Sequence, residues 1–199
     1  METRLSISWP KTGSPRPRTI VLKPEELERL IAQAQPWLRC AIILAAYAGL
    51  RRADVLAACP ANYDHEKRVL AVIQQKTKRQ VSIPTNEMVH TLLLSTPKAD
   101  AATPFVSAWA GKPVGPEMLK PAWQALKKAA GIPQEVHFHD LRRTVAHAIY
   151  DLSHDLRAVE AFLGHHSLSS TIVYLEGHDP EKLRPLVNQL WKPRSELKQ

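Results

Sequence analysis

Short segments of chemically active side chains occur at fixed spacing, most of them in the last third of the chain. His139-Asp140-Leu141-Arg142 is followed by Leu163-Gly164-His165, and Tyr174 comes nine residues after that histidine. An earlier segment, Ala48-Gly49-Leu50-Arg51, adds a second arginine. Two arginines, two histidines and a tyrosine suit phosphoryl transfer on a DNA backbone, with the tyrosine oxygen as nucleophile. Each residue type is common by itself, whereas the ordered set is not.

Two pairs of side chains are three positions apart, which is the spacing of one helical turn: Arg51 with Asp54, and His139 with Arg142. Asp54 could face Arg51 and hold its guanidinium ready for bidentate contact with phosphate oxygens. A helix beginning at His139 would place Arg142 on the same face, at a helix N-terminus that attracts phosphate. The ordinary alternatives are a solvated arginine at 51, a capping histidine at 139 and a surface cation at 142.

Tyr174 needs help from its surroundings to react, and Lys76 is a candidate proton donor. A phenol with a pKa of about 10 is almost entirely protonated at neutral pH, so Tyr174 needs a nearby imidazole and guanidiniums to become a nucleophile. Its alternative is a half-buried core tyrosine. Lys76 lies in a polar, basic turn and could donate a proton to a departing oxygen. A solvated basic turn is the alternative, and the choice between Lys76 and Lys78 stays open.

The histidines also raise the question of a metal site. His137 and His139 would alternate on an extended segment, and His165 and His166 are adjacent, so imidazoles could gather around zinc. The sequence has no HExxH-like arrangement, and the arginines would repel a cation. We therefore expect no metal ion.

Composition favours a polyanionic partner and argues against a membrane. Lys and Arg total 27 against 19 Asp and Glu, a formal net charge of +8. Cys40 and Cys59 form no CxxC pair, which argues against a disulfide framework or a cysteine zinc site. The longest apolar run, 40–50, is far shorter than the ~20 residues that span a bilayer. With no signal-peptide pattern at residues 1–19, a cytoplasmic location is expected.

Hydrophobic periodicity predicts a mainly α fold with a small antiparallel β-sheet, of the α+β class. Residues 1–19 read as a basic flexible arm, and 135–138 look extended. Pro121 should kink or delay its helix. Strands are predicted at 68–73 and 79–84 around a polar tip at 74–78. Helices are predicted at 24–34, 36–49, 52–58, 86–94, 117–130, 139–152, 156–163, 167–176 and 181–191.

Taken together, these segments resemble the catalytic domain of tyrosine recombinases, the group of phage integrases and Xer-type enzymes. The resemblance covers residues 20–191 and includes six functional positions in family order. It implies the tyrosine recombinase catalytic-domain fold for 20–191, preceded by the arm at 1–19 and followed by a tail at 192–199.

The resemblance also implies a role for each residue. Tyr174 attacks the scissile phosphate, forms a 3′-phosphotyrosyl bond and releases a 5′-hydroxyl. Arg51, Arg142 and His165 stabilise charge on the non-bridging oxygens. Lys76 protonates the leaving oxygen, His139 assists proton movement, and Asp54 supports Arg51. A 5′-hydroxyl of a second DNA end then reverses the reaction without a metal ion or nucleotide, so the resemblance implies no cofactor.

The partners implied by the resemblance are double-stranded DNA and further copies of the chain. We expect a monomer in solution and a tetramer on DNA, with accessory DNA-bending proteins as potential further partners. The helix at 181–191 would dock on a neighbouring protomer or pack on its own domain. Family members carry an N-terminal core-binding domain, whereas only the basic arm precedes residue 20 here. A minimal recombinase, a fragment and a remnant all fit that difference. A bacterial or phage-encoded, nucleoid-associated protein is expected.

Two other functions fit the same residues. A non-catalytic DNA-binding regulator or decayed integrase would keep the fold without the chemistry, although the six intact positions argue against that loss. A type IB topoisomerase would nick and reseal DNA without exchanging strands. The leading hypothesis is a site-specific recombinase.

Overall fold

The computed structural model describes residues 20–96, 100–107, 112 and 114–164. Within these ranges the chain is mostly helical and contains one three-stranded antiparallel sheet, which confirms the predicted fold class. The helices are α1 (Pro24–Gln33), α2 (Pro36–Tyr47), α3 (Arg52–Ala57), α4 (Glu87–Ser95), α5 (Pro116–Ala129), α6 (Phe138–Ser153) and α7 (Leu156–Leu163). The strands are β1 (Tyr63–Asp64), β2 (Val69–Ile73) and β3 (Gln80–Pro84).

Helix α2 forms the centre of the core. Its sequence is apolar on almost every side, as expected for a helix surrounded by protein. It packs against α1, α3, α4, α5 and α6. Ile42 and Leu44 have no exposed surface. The end of this central helix is therefore a rigid place from which to present Arg51.

The sheet has the order β1-β2-β3, and its long pair is the predicted hairpin. Val72 pairs with Val81 and Leu70 with Ile83, and all four side chains face the core. Strand β1 was not predicted, because two residues are too short to show an alternating pattern. The hairpin turn at 75–77 projects from the end of the pair away from β1.

Two local expectations were wrong, a delay of the helix by Pro121 and a strand at 135–138, whereas the alternative of a kink at Pro121 stays a prediction. Pro121 does not delay α5, which begins at Pro116, five residues earlier. Burial of Leu119 and Trp123 on one face offsets the hydrogen bond that the proline removes. Residues 135–138 do not form a strand. They lead through a turn into α6, which begins at Phe138 with His137 as its N-cap.

Several predicted features lie outside the described residues. They are the arm at 1–19, the helices at 167–176 and 181–191, and the tail at 192–199. The proposed domain boundaries therefore stay predictions. In the part of the chain that the structure describes, no helix is both long and apolar enough to cross a membrane.

Candidate active site

Arg51 lies in the short link between α2 and α3, where it is the N-cap residue of α3. Its Nη1 is 4.0 Å from Asp54 Oδ2, and the two side chains are 18% and 1% exposed. Among the described residues, neither of these two buried atoms makes a hydrogen bond. The carboxylate thus balances the charge of Arg51 without a hydrogen bond to its Nη1, and 18% of the arginine side chain stays exposed.

Asp54 also fixes the turn that carries Lys76. Its Oδ1 accepts a hydrogen bond from the Gln75 backbone N at 2.7 Å. One buried carboxylate therefore connects the arginine at the start of α3 with the hairpin turn 21 positions later in the chain. Lys76 and Lys78 are both exposed in this region, and Lys78 has a left-handed φ of 56°.

Arg142 is deeply buried, which rules out a surface cation. The residue is 1% exposed in α6. Its Nη1 donates to the Gly49 carbonyl oxygen, and its Nη2 donates to the Leu163 carbonyl oxygen at 2.7 Å. These two carbonyls lie at the C-terminal ends of α2 and α7. A charged group that bridges two helix ends in the interior has little freedom to move.

His139 lies in the first turn of α6, one turn before Arg142. The residue is exposed, but protein atoms around the ring and the charges of Arg142, Arg143 and Arg51 lower the pKa of His139 to about 4. Desolvation is the largest of these causes, and the carboxylate of Asp140 opposes them. The imidazole is therefore neutral at pH 7 and lies within the electrostatic reach of three guanidiniums.

Asp140 determines where α6 begins. Its Oδ2 accepts from the His137 backbone N at 2.8 Å, which closes a capping box at the helix start. The Asp140 carbonyl accepts from Thr144 Oγ1 at 2.8 Å, and that hydroxyl accepts from the Leu22 N at 3.0 Å. His139 is therefore inside the helix, and the capping histidine is His137.

Helix α7 ends at Leu163, two residues before the predicted His165. Gly164 has a φ of 61° and provides the left-handed C-cap. His165, His166 and Tyr174 lie outside the described residues. The structure thus brings together Arg51, Asp54, His139, Arg142 and the end of α7, and it ties the Lys76 turn to Asp54.

Sequence reasoning missed the side chain of Gln74 and the carbonyl acceptors at Gly49 and Leu163. Backbone acceptors carry no sequence signal. Gln74 did carry a signal in the sequence, because it follows Val72 at the spacing of the buried face of β2. In the described ranges no group of three or more His, Cys, Asp or Glu side chains could hold a metal ion.

Comparison with known proteins decides the family. Residues 21–180 match the model of the phage integrase family. The chain belongs to the phage integrase family. Tyrosine recombinase XerC of Agrobacterium fabrum is 31% identical over 150 residues, which cover 70% of this chain and 47% of that protein. The putative integrase/recombinase y4qK of Sinorhizobium fredii is 25% identical, over 83% of this chain and 55% of that one. This chain thus spans about half the length of these relatives.

Solved structures of recombinases share the fold. The crystal structure of XerA recombinase matches with a TM-score of 0.71 and 22% identity, over 87% of this chain and 66% of that chain. XerH recombinase, in a post-cleavage complex with a palindromic difH substrate, matches with a TM-score of 0.70 and 19% identity, over 88% and 54%. A lambda integrase dimer bound to a core site matches with a TM-score of 0.66 and 21% identity, over 80% and 49%.

Proposed function

We propose that this member of the phage integrase family is a site-specific recombinase that cleaves and rejoins double-stranded DNA through a 3′-phosphotyrosyl intermediate. The observation that supports this most directly is the convergence of Arg51, His139 and Arg142 beside the end of α7. Arg142 is fixed there by the Leu163 carbonyl, two residues before His165. Guanidiniums held in place by the protein suit the charge that develops on phosphate oxygens.

The proposed reaction balances without an external reactant. The Tyr174 oxygen forms a bond to phosphorus, and the bond between phosphorus and the 5′-oxygen breaks. Lys76 donates a proton to that oxygen, and His139 assists removal of the phenol proton. A bound phosphate adds negative charge beside the imidazole, which raises the pKa of His139 toward the range useful for proton transfer. Attack by a 5′-hydroxyl on the tyrosyl phosphodiester then restores the DNA and the tyrosine.

Double-stranded DNA is the proposed partner. The net charge of +8 suits a polyanion, and the related XerH and lambda integrase chains are described in complexes with their DNA sites. We also propose that the protein is a monomer in solution, forms a homo-oligomer on DNA and is located in the cytoplasm.

The test is covalent trapping. The protein is incubated with a pool of nicked duplexes in EDTA, denatured in SDS and examined for a protein band shifted by bound DNA. We expect the band with the natural sequence and its loss in Tyr174→Phe, with salt-sensitive DNA binding unchanged. A band that persists in Tyr174→Phe would remove Tyr174 as nucleophile. DNA binding without any band would favour a non-catalytic regulator, and relaxed supercoils without recombinant products would favour a topoisomerase.

A further inference from the structure

Gln74 is a buried polar residue that the assigned roles leave unexplained. It follows β2 directly, precedes Lys76 by two positions, and is 2% exposed. The neighbouring positions that share its face, Val72 and Val81, are apolar. A buried amide is costly unless its donor and acceptor both find partners, so its contacts indicate why it is there.

The side chain of Gln74 joins two separate elements. Its Nε2 donates to the Leu163 carbonyl oxygen at 2.9 Å, which reaches the end of α7. Its Oε1 accepts from Thr77 Oγ1 at 2.8 Å, which reaches across the turn. One end of the amide thus holds the helix, and the other end holds the turn by a bond that spans Gln75 and Lys76.

The backbone of the same residue closes the turn. The Gln74 N donates to the Arg79 carbonyl oxygen at 2.8 Å, and the Gln74 carbonyl accepts from the Lys78 N at 2.8 Å. With the bond from Asp54 to the Gln75 N, the turn is anchored at its base from two directions. Lys76 is exposed at its tip.

The acceptor that Gln74 uses is also the acceptor of Arg142. The Leu163 carbonyl oxygen receives Arg142 Nη2 at 2.7 Å in addition to Gln74 Nε2. A Cβ placed on Gly164 would be 2.7 Å from Gln74 Nε2, so the turn lies directly against the end of α7. The hairpin and the buried arginine therefore share one fixed reference point.

We propose that Gln74 is a positioning residue, which holds the turn so that Lys76 can deliver its proton to the leaving 5′-oxygen. This inference rests on the proposed function. A primary amide satisfies both partners, whereas a glutamate would oppose the Leu163 carbonyl with a second acceptor, and a methionine would fill the space without either hydrogen bond. Proton transfer needs donor and acceptor within hydrogen-bond reach, so a looser turn reduces the rate of that step.

The test compares single-turnover cleavage of two duplexes that carry a sequence recovered by covalent trapping. One has an ordinary phosphodiester and the other has sulfur at the 5′-bridging position, which leaves without protonation. We expect Gln74→Met to slow the ordinary substrate by ~10- to 100-fold and the sulfur substrate far less, as for a displaced general acid. Gln80→Met changes an exposed glutamine of the same hairpin and is expected to cleave both substrates at the natural rate.

Lys76→Ala in the same assay distinguishes a failure of Lys76 as the general acid from a failure of Gln74 as its positioning residue. Selective slowing of the ordinary substrate by Lys76→Ala, with equal slowing of both substrates by Gln74→Met, would overturn only the role of Gln74. Equal slowing of both substrates by Lys76→Ala would overturn Lys76 as the acid, and the role of Gln74 with it.

A second measurement needs no DNA. Amide hydrogen exchange of the free protein should show faster exchange at the Lys78 N in Gln74→Met than in Gln80→Met, because the turn loses its side-chain anchors. Unchanged exchange at Lys78 in Gln74→Met would overturn the inference.

Discussion

At the residue scale, the two arginines of the site are held in different ways. Arg142 uses its guanidinium to bridge the Gly49 and Leu163 carbonyls in the interior. Arg51 faces a carboxylate at 4.0 Å and keeps 18% of its side chain exposed. Arg142 is thus fixed by the backbone, and Arg51 depends on Asp54.

Asp54 should stabilise the protein through two separable contacts. Asp54→Asn keeps an acceptor for the Gln75 N but removes the charge beside Arg51, and should lower the free energy of unfolding by about 1–2 kcal/mol. Asp54→Ala removes both contacts and should lower it by about 2–4 kcal/mol. Urea denaturation measures both variants. Equal losses would show that the bond to Gln75 contributes nothing.

His139 should titrate at unusually low pH. Its pKa is lowered from 6.5 to about 4 by desolvation and the neighbouring arginines. The unfolded chain therefore binds a proton at this site at higher pH than the folded chain, and stability contributed by neutral His139 is lost as pH falls from 6.5 toward 4. NMR titration of the imidazole and urea midpoints across this window provide the measurement. His139→Gln should lose less stability over the same window, and an ordinary titration near 6.5 would contradict the expectation.

At the scale of elements, two helix ends meet at Arg142. Helices α2 and α7 are each followed by a glycine with left-handed backbone, Gly49 at φ 63° and Gly164 at φ 61°. A Cβ on Gly49 would be 2.9 Å from Leu163 Cδ2, so the two ends are in close contact. Both glycines are needed for conformation and for space.

The need for a left-handed backbone and the need for space can be tested separately by comparison with a third glycine, Gly131. Gly164→Ala should be destabilising by about 2–4 kcal/mol, because the new methyl adds a clash with Val81 and Gln74 to the left-handed backbone penalty. Gly131 has a φ of 65°, and a methyl group there would have no atom within 4 Å, so Gly131→Ala should cost only about 1–2 kcal/mol. Chemical denaturation of both variants gives the difference, and equal losses would contradict a tight contact between α7 and the hairpin.

Arg142 should hold α2, α6 and α7 together apart from any reaction. Arg142→Met leaves the Gly49 and Leu163 carbonyls without their buried donor, and should reduce the free energy of unfolding by about 3 kcal/mol. The control is Arg157→Met on the exposed surface of α7, expected to change it by less than about 0.5 kcal/mol. Guanidinium denaturation distinguishes them. A stable Arg142→Met variant would mean that the bridge adds no net stability.

At the scale of the whole molecule, the positive charge should dominate DNA affinity. A protein that neutralises about six phosphates loses roughly 10³-fold in affinity between 50 and 200 mM salt. With a net charge of +8, we expect a fall of that order in fluorescence anisotropy titrations. Affinity that is independent of salt would contradict binding through phosphate contacts.

Two lysines at opposite ends of the hairpin provide a matched pair for the same titration. Lys78 lies at the tip, and Lys67 lies at the opposite end of β2, where it pairs with Asp64 at 3.3 Å. Lys78→Ala should reduce the slope of log affinity against log salt by about 1, as expected for one lost phosphate contact. Lys67→Ala should leave the slope unchanged, and the reverse result would place the DNA at the other end of the sheet.

The sequence by itself determined the fold class, the family and most element boundaries. Apolar periodicity identified α2, alternation identified β2 and β3, and Gly164 marked the end of α7, because these signals are local. The spacing of Arg51 and Asp54 predicted for the same reason that their side chains lie close together, since one helical turn fixes the distance between positions three apart. The reactive residues at 165 and 174 stay predictions.

Only the tertiary structure decided how the site is held. Arg142 could equally have been a surface cation, and its burial against two carbonyls depends on helices separated by 93 and 21 positions in the chain. The junction of Gln74, Arg142 and Leu163 likewise joins three distant segments through a backbone acceptor. Backbone carbonyls are identical at every position, so no sequence pattern can show which of them will meet a distant side chain.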